Sequence, residues 1–191
     1  MKINIELNPK SIREAIKTLK NQKKVLSEQA IPEFMLRSTE WIKNRANEIL
    51  NGSDIGVQIV QNITSSWHID IISNSHIVLY NMSWKSAYVE FGVGIVGQST
   101  PHPNASQTNY EYNVDSPYKY SNGGWAFSVA DQSELDIPKD AIIEQSYSSF
   151  YGLTIYTRGT QGLWYLFNAM EDYKLREEKR LWEEIKKKYW S

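Results

Sequence analysis

The sequence predicts an α+β fold, with helices at both ends of the chain and an antiparallel sheet between them. Three observations predict it. Apolar residues recur at helical spacing from about Ser11 to Gly52, the period changes to two from about Trp67, and helical spacing returns from about Leu163. With 41% hydrophobic residues among 191, the chain has material for one good-sized core, and a single domain over 1–191 is expected.

Residues 3 to 7 alternate apolar and polar as a short strand does, and Pro9 ends it. Ser11 and Glu14 form an S-x-x-E capping box ahead of Ile12, Ala15, Ile16, Leu19 and Leu26, which predicts a helix over about 11–29. Pro32 suits the first turn of a second helix carrying Met35, Ile42, Ala46 and Ile49 and stopped by Asn51-Gly52, so helices occupy 11–50.

The sheet is expected over 65–157. Trp67, Ile69 and Ile71 share one face of a strand, Asn74-Ser75 turns it, and a second strand carries Ile77, Leu79 and Tyr80. That turn sets Ile69 opposite Tyr80 and Ile71 opposite Val78 on the buried side. A third strand is expected over Ser86 to Phe91, then a long loop over 97–124, then strands around Trp125 to Val129 and Leu153 to Tyr156. A helix over 163–190 closes the chain, with Leu166, Met170, Tyr173, Leu181 and Ile185 as its buried stripe. Its far half is charged in both signs, with Glu183 to Lys187 and Glu184 to Lys188 as favourable pairs, and reads as a solvated face that lets the helix protrude.

Composition narrows the function classes. The 21 basic and 22 acidic residues nearly cancel, so no global field draws the chain to nucleic acid or an anionic membrane. No cysteine is present, which removes disulfides, thiolate nucleophiles and cysteine-containing metal sites. The N-terminus lacks the apolar run of a secretory signal, and no run of about 18 apolar residues occurs, so a soluble protein made in the cytoplasm, without membrane contact, is expected. Seven Trp and twelve Tyr are an unusual load; they suit either half-buried subunit interfaces or aromatic strands packed on helices.

Gly92-Val93-Gly94-Ile95-Val96-Gly97 fits G-x-G-x-x-G, yet a dinucleotide site needs the third glycine to open a helix that holds the pyrophosphate. Gln98-Ser99-Thr100-Pro101-His102-Pro103 follows, and its two prolines do not continue such a helix. The glycines read instead as positions of unusual backbone angle or close chain approach, and no cofactor is expected. His68, His76 and His102 are too scattered to predict a metal site and read as strand or loop histidines. Glu90 is the most suggestive carboxylate, but no second acid or histidine is tied to it by spacing. Its expected task is to bond backbone amides of the glycine loop or to pair with a basic residue of a neighbouring subunit, for which Arg158 is the candidate. Lys17, Lys20, Lys23 and Lys24, and Lys186 to Lys188, form basic clusters with acids nearby and, in the first, no interleaved aromatics.

At Tyr88-Val89-Glu90-Phe91-Gly92-Val93-Gly94 the chain resembles the signature of a family of tailed-bacteriophage minor structural proteins, the tail-completion or head–tail joining proteins of the neck. Pro101-His102-Pro103, Tyr110-Glu111-Tyr112, Gly124-Trp125 and Thr157-Arg158-Gly159 stand in the same order as in members from phages of Gram-positive bacteria. The chain departs from the family at Asn51 to Gly56, where members carry an Ala-Pro-x-Asp-Thr-Gly-like run, and at Leu163 to Phe167, where they carry Arg-Pro-Phe. The resemblance implies helices packed on a twisted antiparallel sheet, assembly into a hexameric ring between the head connector and the tail tube or its terminator, DNA at most in the lumen, and no catalytic residue, cofactor or metal. It implies a virion protein, with tail termination and head closure as sister roles. Interface candidates are Tyr88, Glu90, Phe91, Gly92, Gly94, Gly97, Trp125, Arg158 and Trp164. The other classes in play are a tail-associated cell-wall hydrolase, in which Glu90 is catalytic, and a DNA-binding packaging factor.

Overall fold

The computed structural model describes residues 9–108, 110–112, 124–129, 142–148 and 152–190. In chain order these form α1 (Pro9–Val25), a π-helical segment (Leu26–Ala30), α2 (Ile31–Asn51), α3 (Val57–Thr64), β1 (Trp67–Ser73), β2 (His76–Asn81), α4 (Trp84–Phe91), β3 (Gly92–Val93), α5 (Gly94–Ser99) and a single 3-10 turn (Ala105–Gln107). Then come β4 (Trp125–Val129), β5 (Ile142–Ser148), β6 (Gly152–Thr157), β7 (Gly159–Gln161), α6 (Tyr165–Asp172), a second π-helical segment (Tyr173–Glu177) and α7 (Glu178–Trp190). The fold is α+β, with N-terminal helices, small antiparallel sheets and a long C-terminal helical stretch.

The strand expected over residues 3 to 7 lies outside the described residues. Among the described residues the first helix runs from Pro9, so Ser11 lies within it; proline is tolerated in a first helical turn, where its missing amide is not needed. No loop separates the first two helices. Pro32 has no amide hydrogen for the carbonyl of Glu28, and its ring crowds that carbonyl. The backbone widens over Leu26–Ala30 instead of breaking, and the Ile31 amide reaches back five residues to the Leu26 carbonyl.

Among the described residues three separate sheets stand where one was expected, ordered β1-β2, β3-β7 and β4-β6-β5. The Asn74-Ser75 turn joins β1 to β2 as anticipated, but Ile71, assigned to the buried side, is 64% exposed. The third strand is absent. Residues 84–91 are the helix α4, in which Ser86 and Glu90, four apart, lie on one face.

The described residues divide into two compact units built from interleaved segments. In the first, comprising 9–44, 69–80 and 170–190, Ala30, Tyr173, Leu181 and Ile185 form a buried cluster that Phe34, Trp41, Ile42 and Trp182 pack against. Phe34 meets Trp182 edge-on at 5.3 Å between ring centroids. The Ser38 hydroxyl donates to the Phe34 carbonyl, so the Tyr173 hydroxyl, 2.5 Å from it, is the donor in their shared bond. Burial raises the Tyr173 pKa while this bond acts against the rise.

The charged far end of the chain does not protrude. Arg37 pairs with Glu184 at 2.9 Å and Lys188 with Glu33 at 2.6 Å, which ties α7 to α2. The pairs anticipated within α7 are replaced by Arg180 with Glu177 and Glu184, and Lys186 with Glu183. Met170, placed in the buried stripe, is 40% exposed, whereas Tyr165 and Ala169 are buried.

In the second unit, comprising 45–68 and the described residues of 81–169, Ala46, Leu50, Ile59, Val60, Ile63, Ala126, Ile155, Tyr165 and Ala169 are buried. β6 is the central strand of its sheet, with Phe127 and Gln145 both registered on Ile155.

Candidate functional site

The string that carries the resemblance builds one compact arrangement inside the second unit. α4 ends at Phe91, and the segment leading into α6 crosses its end. There the Leu163 amide donates to the Val89 carbonyl at 2.8 Å and the Trp164 amide to the Glu90 carbonyl at 3.2 Å. In return the Glu90 carboxylate accepts from the first turn of α6, through the Leu166 amide at 2.8 Å and the Phe167 amide at 2.9 Å. Each helix thus satisfies end groups that the other cannot satisfy alone. Glu90 occupies the place of an N-cap side chain, supplied from another helix and favoured by the positive end of the α6 dipole.

His102 completes the arrangement, with its Nε2 donating to Glu90 Oε1 at 2.9 Å while its Nδ1 accepts from the Asn104 amide at 3.0 Å. That acceptor bond assigns the proton to Nε2. The ring lies among Phe91 at 4.5 Å, Phe167 at 5.3 Å and Trp164 at 6.1 Å. Glu90 is 7% and His102 5% exposed, and both imidazole nitrogens are engaged within the chain. The imidazole has no free nitrogen to offer a substrate, and three acceptor sites of the carboxylate are taken up within the chain.

Beyond Glu90 the backbone makes a close crossing. β3 and β7 run antiparallel with Gly92 opposite Gln161 and Val93 opposite Thr160, and Gly94 bridges Gly159. Gly92, Gly94 and Gly159 have φ of +82°, +69° and +105°, where side chains are strained. A Cβ on Gly159 would collide with the Val93 carbonyl oxygen, and one on Gly162 with the Glu90 carbonyl oxygen. A short helix, α5, does open at Gly94, but it stops at Ser99. Its Gly94 and Val96 amides donate to the carbonyls of Tyr112 and Arg158, so they are not turned toward a pyrophosphate. Tyr110 stacks on Phe91 at 4.5 Å and donates to the Gly92 carbonyl, and the Tyr112 hydroxyl accepts the His102 amide. Burial pushes the Tyr110 hydroxyl pKa well up, with Tyr88 and Tyr112 adding to the effect.

Of the nine candidate residues, Glu90, Phe91, Gly92, Gly94, Gly97 and Trp164 meet here. Glu90 bonds amides of α6, where amides of the glycine loop or a neighbour's cation were expected. Arg158 is exposed and takes part through its carbonyl. Trp164 has φ +54°, rare for a residue with a side chain, and its indole N–H is buried with no acceptor among the described residues. Trp125 opens β4 opposite Thr157, and Tyr88 is 39% exposed. Tyr88 meets Trp84 edge-on at 5.5 Å, and Trp84 and Met82 are 70% and 68% exposed. Met82 and Trp84 border an open cleft of about 370 Å³ whose wall also includes Ala87, Glu90, Phe91 and Tyr165. The Tyr165 hydroxyl bonds Ser86 at 2.6 Å, and burial raises its pKa against that bond.

Sequence reasoning missed His102 as the partner of Glu90. The Pro101-His102-Pro103 string was the available signal, since two prolines restrict the backbone on both sides of one titratable side chain. No helix among the described residues is long and apolar enough to cross a membrane. No family model, curated protein or solved structure matches the chain.

Proposed function

We propose that the chain is a structural virion protein of the neck of a tailed bacteriophage, made in the host cytoplasm and assembled as a ring, taken as hexameric, that completes the tail and joins it to the head connector. One observation carries the reading. The polar groups of the Tyr88-to-Gly97 string are spent on shape, with Glu90 accepting three bonds from within the chain and the glycines allowing a close crossing. Beside this rigid core Met82, Trp84 and Tyr88 leave apolar surface outside, the kind of anchor that subunit contacts use. A tail-borne hydrolase needs a carboxyl free to trade a proton with substrate, and the three bonds that Glu90 accepts within the chain speak against that use.

The test is assembly. Purified protein, alone and mixed with connector and tail-tube proteins of a phage carrying it, is followed by light scattering and electron microscopy. Rings that weaken in Trp84→Ala and Tyr88→Ala, with unchanged unfolding midpoints, support the reading. Turnover of cell-wall polymer that disappears in Glu90→Gln overturns it, as does absence of the protein from the neck of the particle.

A further inference from the structure

The most apolar face of α1 points outward. Ile12, Ile16 and Leu19 are 41%, 47% and 51% exposed, and Leu26 just beyond them is 36% exposed. The covered face is the poorer one, with Ala15 buried and Ser11, Thr18, Gln22 and Val25 half-buried. Ile12, Ile16, Leu19, Lys23 and Leu26 follow one another at intervals of four, three, four and three residues. This is the narrow seam of a paired helix, wider than scattered surface leucines and narrower than a core-facing stripe. In heptad terms Ile16 and Lys23 take a positions, and Ile12, Leu19 and Leu26 take d positions, a choice that favours two strands with one polar residue setting the register.

The flank decides what fits. Arg13 and Lys20 take e positions, Lys17 and Lys24 lie beside them, and Ala15 and Gln22 take g positions. Over its length α1 carries Lys10, Arg13, Lys17, Lys20, Lys23 and Lys24 against Glu14. A second copy is a poor occupant. Parallel pairing sets Lys23 against Lys23 and faces the e cations with Ala15 and Gln22, while antiparallel pairing brings the two cationic rows together. At the end of the seam Leu26 also lines an open cleft of about 600 Å³ with Ile31, Phe34 and Trp182, edged by Lys174, Glu178 and Lys179, which suits a large apolar anchor.

We infer that α1 is a docking helix for an acidic amphipathic helix of another protein, with aliphatic side chains on its seam and carboxylates opposite Lys20 and Lys23. A phosphate backbone has no use for the aliphatic row, and an anionic bilayer, which takes a broad apolar face, would meet Lys23 inside this narrow one. This surface is independent of the ring reading, because α1 belongs to the first unit and the neck string to the second.

The experiment uses the full chain and a labelled synthetic helix with Leu and Ile on its seam and Glu on both flanks. Its counterpart carries Lys in place of Glu. The acidic peptide is expected to bind the protein, to lose about tenfold or more in affinity to Leu19→Glu, and to weaken several-fold between about 50 and about 500 mM salt. The double variant Lys20→Glu with Lys23→Glu, at exposed positions that do not enter the core, is expected to reject the acidic peptide and take the lysine one. Equal binding of both peptides, or none to the unaltered protein, overturns the inference. So does a dimer of the protein alone, a DNA duplex, or an anionic vesicle held through this face and released by Leu19→Glu.

Discussion

Glu90 Oε1 and His102 Nε2, on residues twelve apart, lie 2.9 Å from each other, and the same carboxylate receives two amides of α6. Glu90→Gln keeps the shape but presents one acceptor oxygen where two were used, and turns an amide NH₂ toward donors. It is expected to lower stability by about 2 to 3 kcal/mol, the range for buried bonds to a charged acceptor, read as a shift of the urea unfolding midpoint. Arg158→Ala, at an exposed side chain, is expected to stay within about 0.5 kcal/mol. Equal losses from the two variants are incompatible with an inward role for Glu90.

The glycine crossing gives a second comparison. Gly159→Ala forces a side chain into φ +105° and against the Val93 carbonyl, so a loss of about 3 kcal/mol or more, or failure to fold, is expected. Gly52→Ala meets nothing nearer than the Glu48 carbonyl at 3.4 Å and is expected to be nearly neutral. Calorimetry of the two proteins side by side measures this, and tolerance of alanine at 159 contradicts the close crossing.

In the first unit, Leu181 is 2% exposed at the centre of its cluster. Leu181→Ala is expected to cost about 2 to 5 kcal/mol through lost contacts and the cavity left behind. Tyr173→Phe, which removes only the proton donated to Ser38, is expected to cost about 1 kcal/mol because Ser38 keeps its bond to Phe34. Reversal of that order in thermal unfolding counts against the packing described.

Attachment of the chain's end responds to acid. The Glu33 carboxyl is held below its usual 4.5 first by the hydrogen bond from Lys188 and then by that from Tyr189. A depressed carboxyl stabilises the fold fully above its unfolded value and loses that contribution as pH falls through the lower folded one. Amide hydrogen exchange at 184–190 is therefore expected to speed up, relative to the intrinsic rate, as pH falls below about 4.5. Glu33→Gln is expected to remove this step; its persistence assigns the acid response elsewhere.

Much of the frame was legible because long amphipathic segments declare themselves. The reach of the second helix to Asn51, the Asn74-Ser75 turn and strands at Trp125 and Leu153 followed from period and turn chemistry. α3 and α4 did not, for a common reason. Val57, Ile59, Val60 and Ile63 are β-branched, and Trp84, Tyr88, Val89 and Phe91 have the composition of a strand; these short helices persist because burial of Ile63 and the bonds accepted by Glu90 outweigh local preference. The glycines announced a special backbone. The partner of Glu90 remained hidden, since the end of α4, β3 and α5 stand between it and His102 and no periodic rule spans those changes of direction.

The widened turn at Leu26–Ala30 has a consequence for heredity. Such a turn takes up about one residue more than an ordinary helical turn, so everything before it is rotated by about 100° from where an unbroken helix would set it. Loss of a single codon between positions 26 and 30 would leave the composition of α1 almost untouched while swinging its aliphatic row to a different bearing. The length of this short stretch thus sets the bearing of α1 more than the identity of most residues within it does.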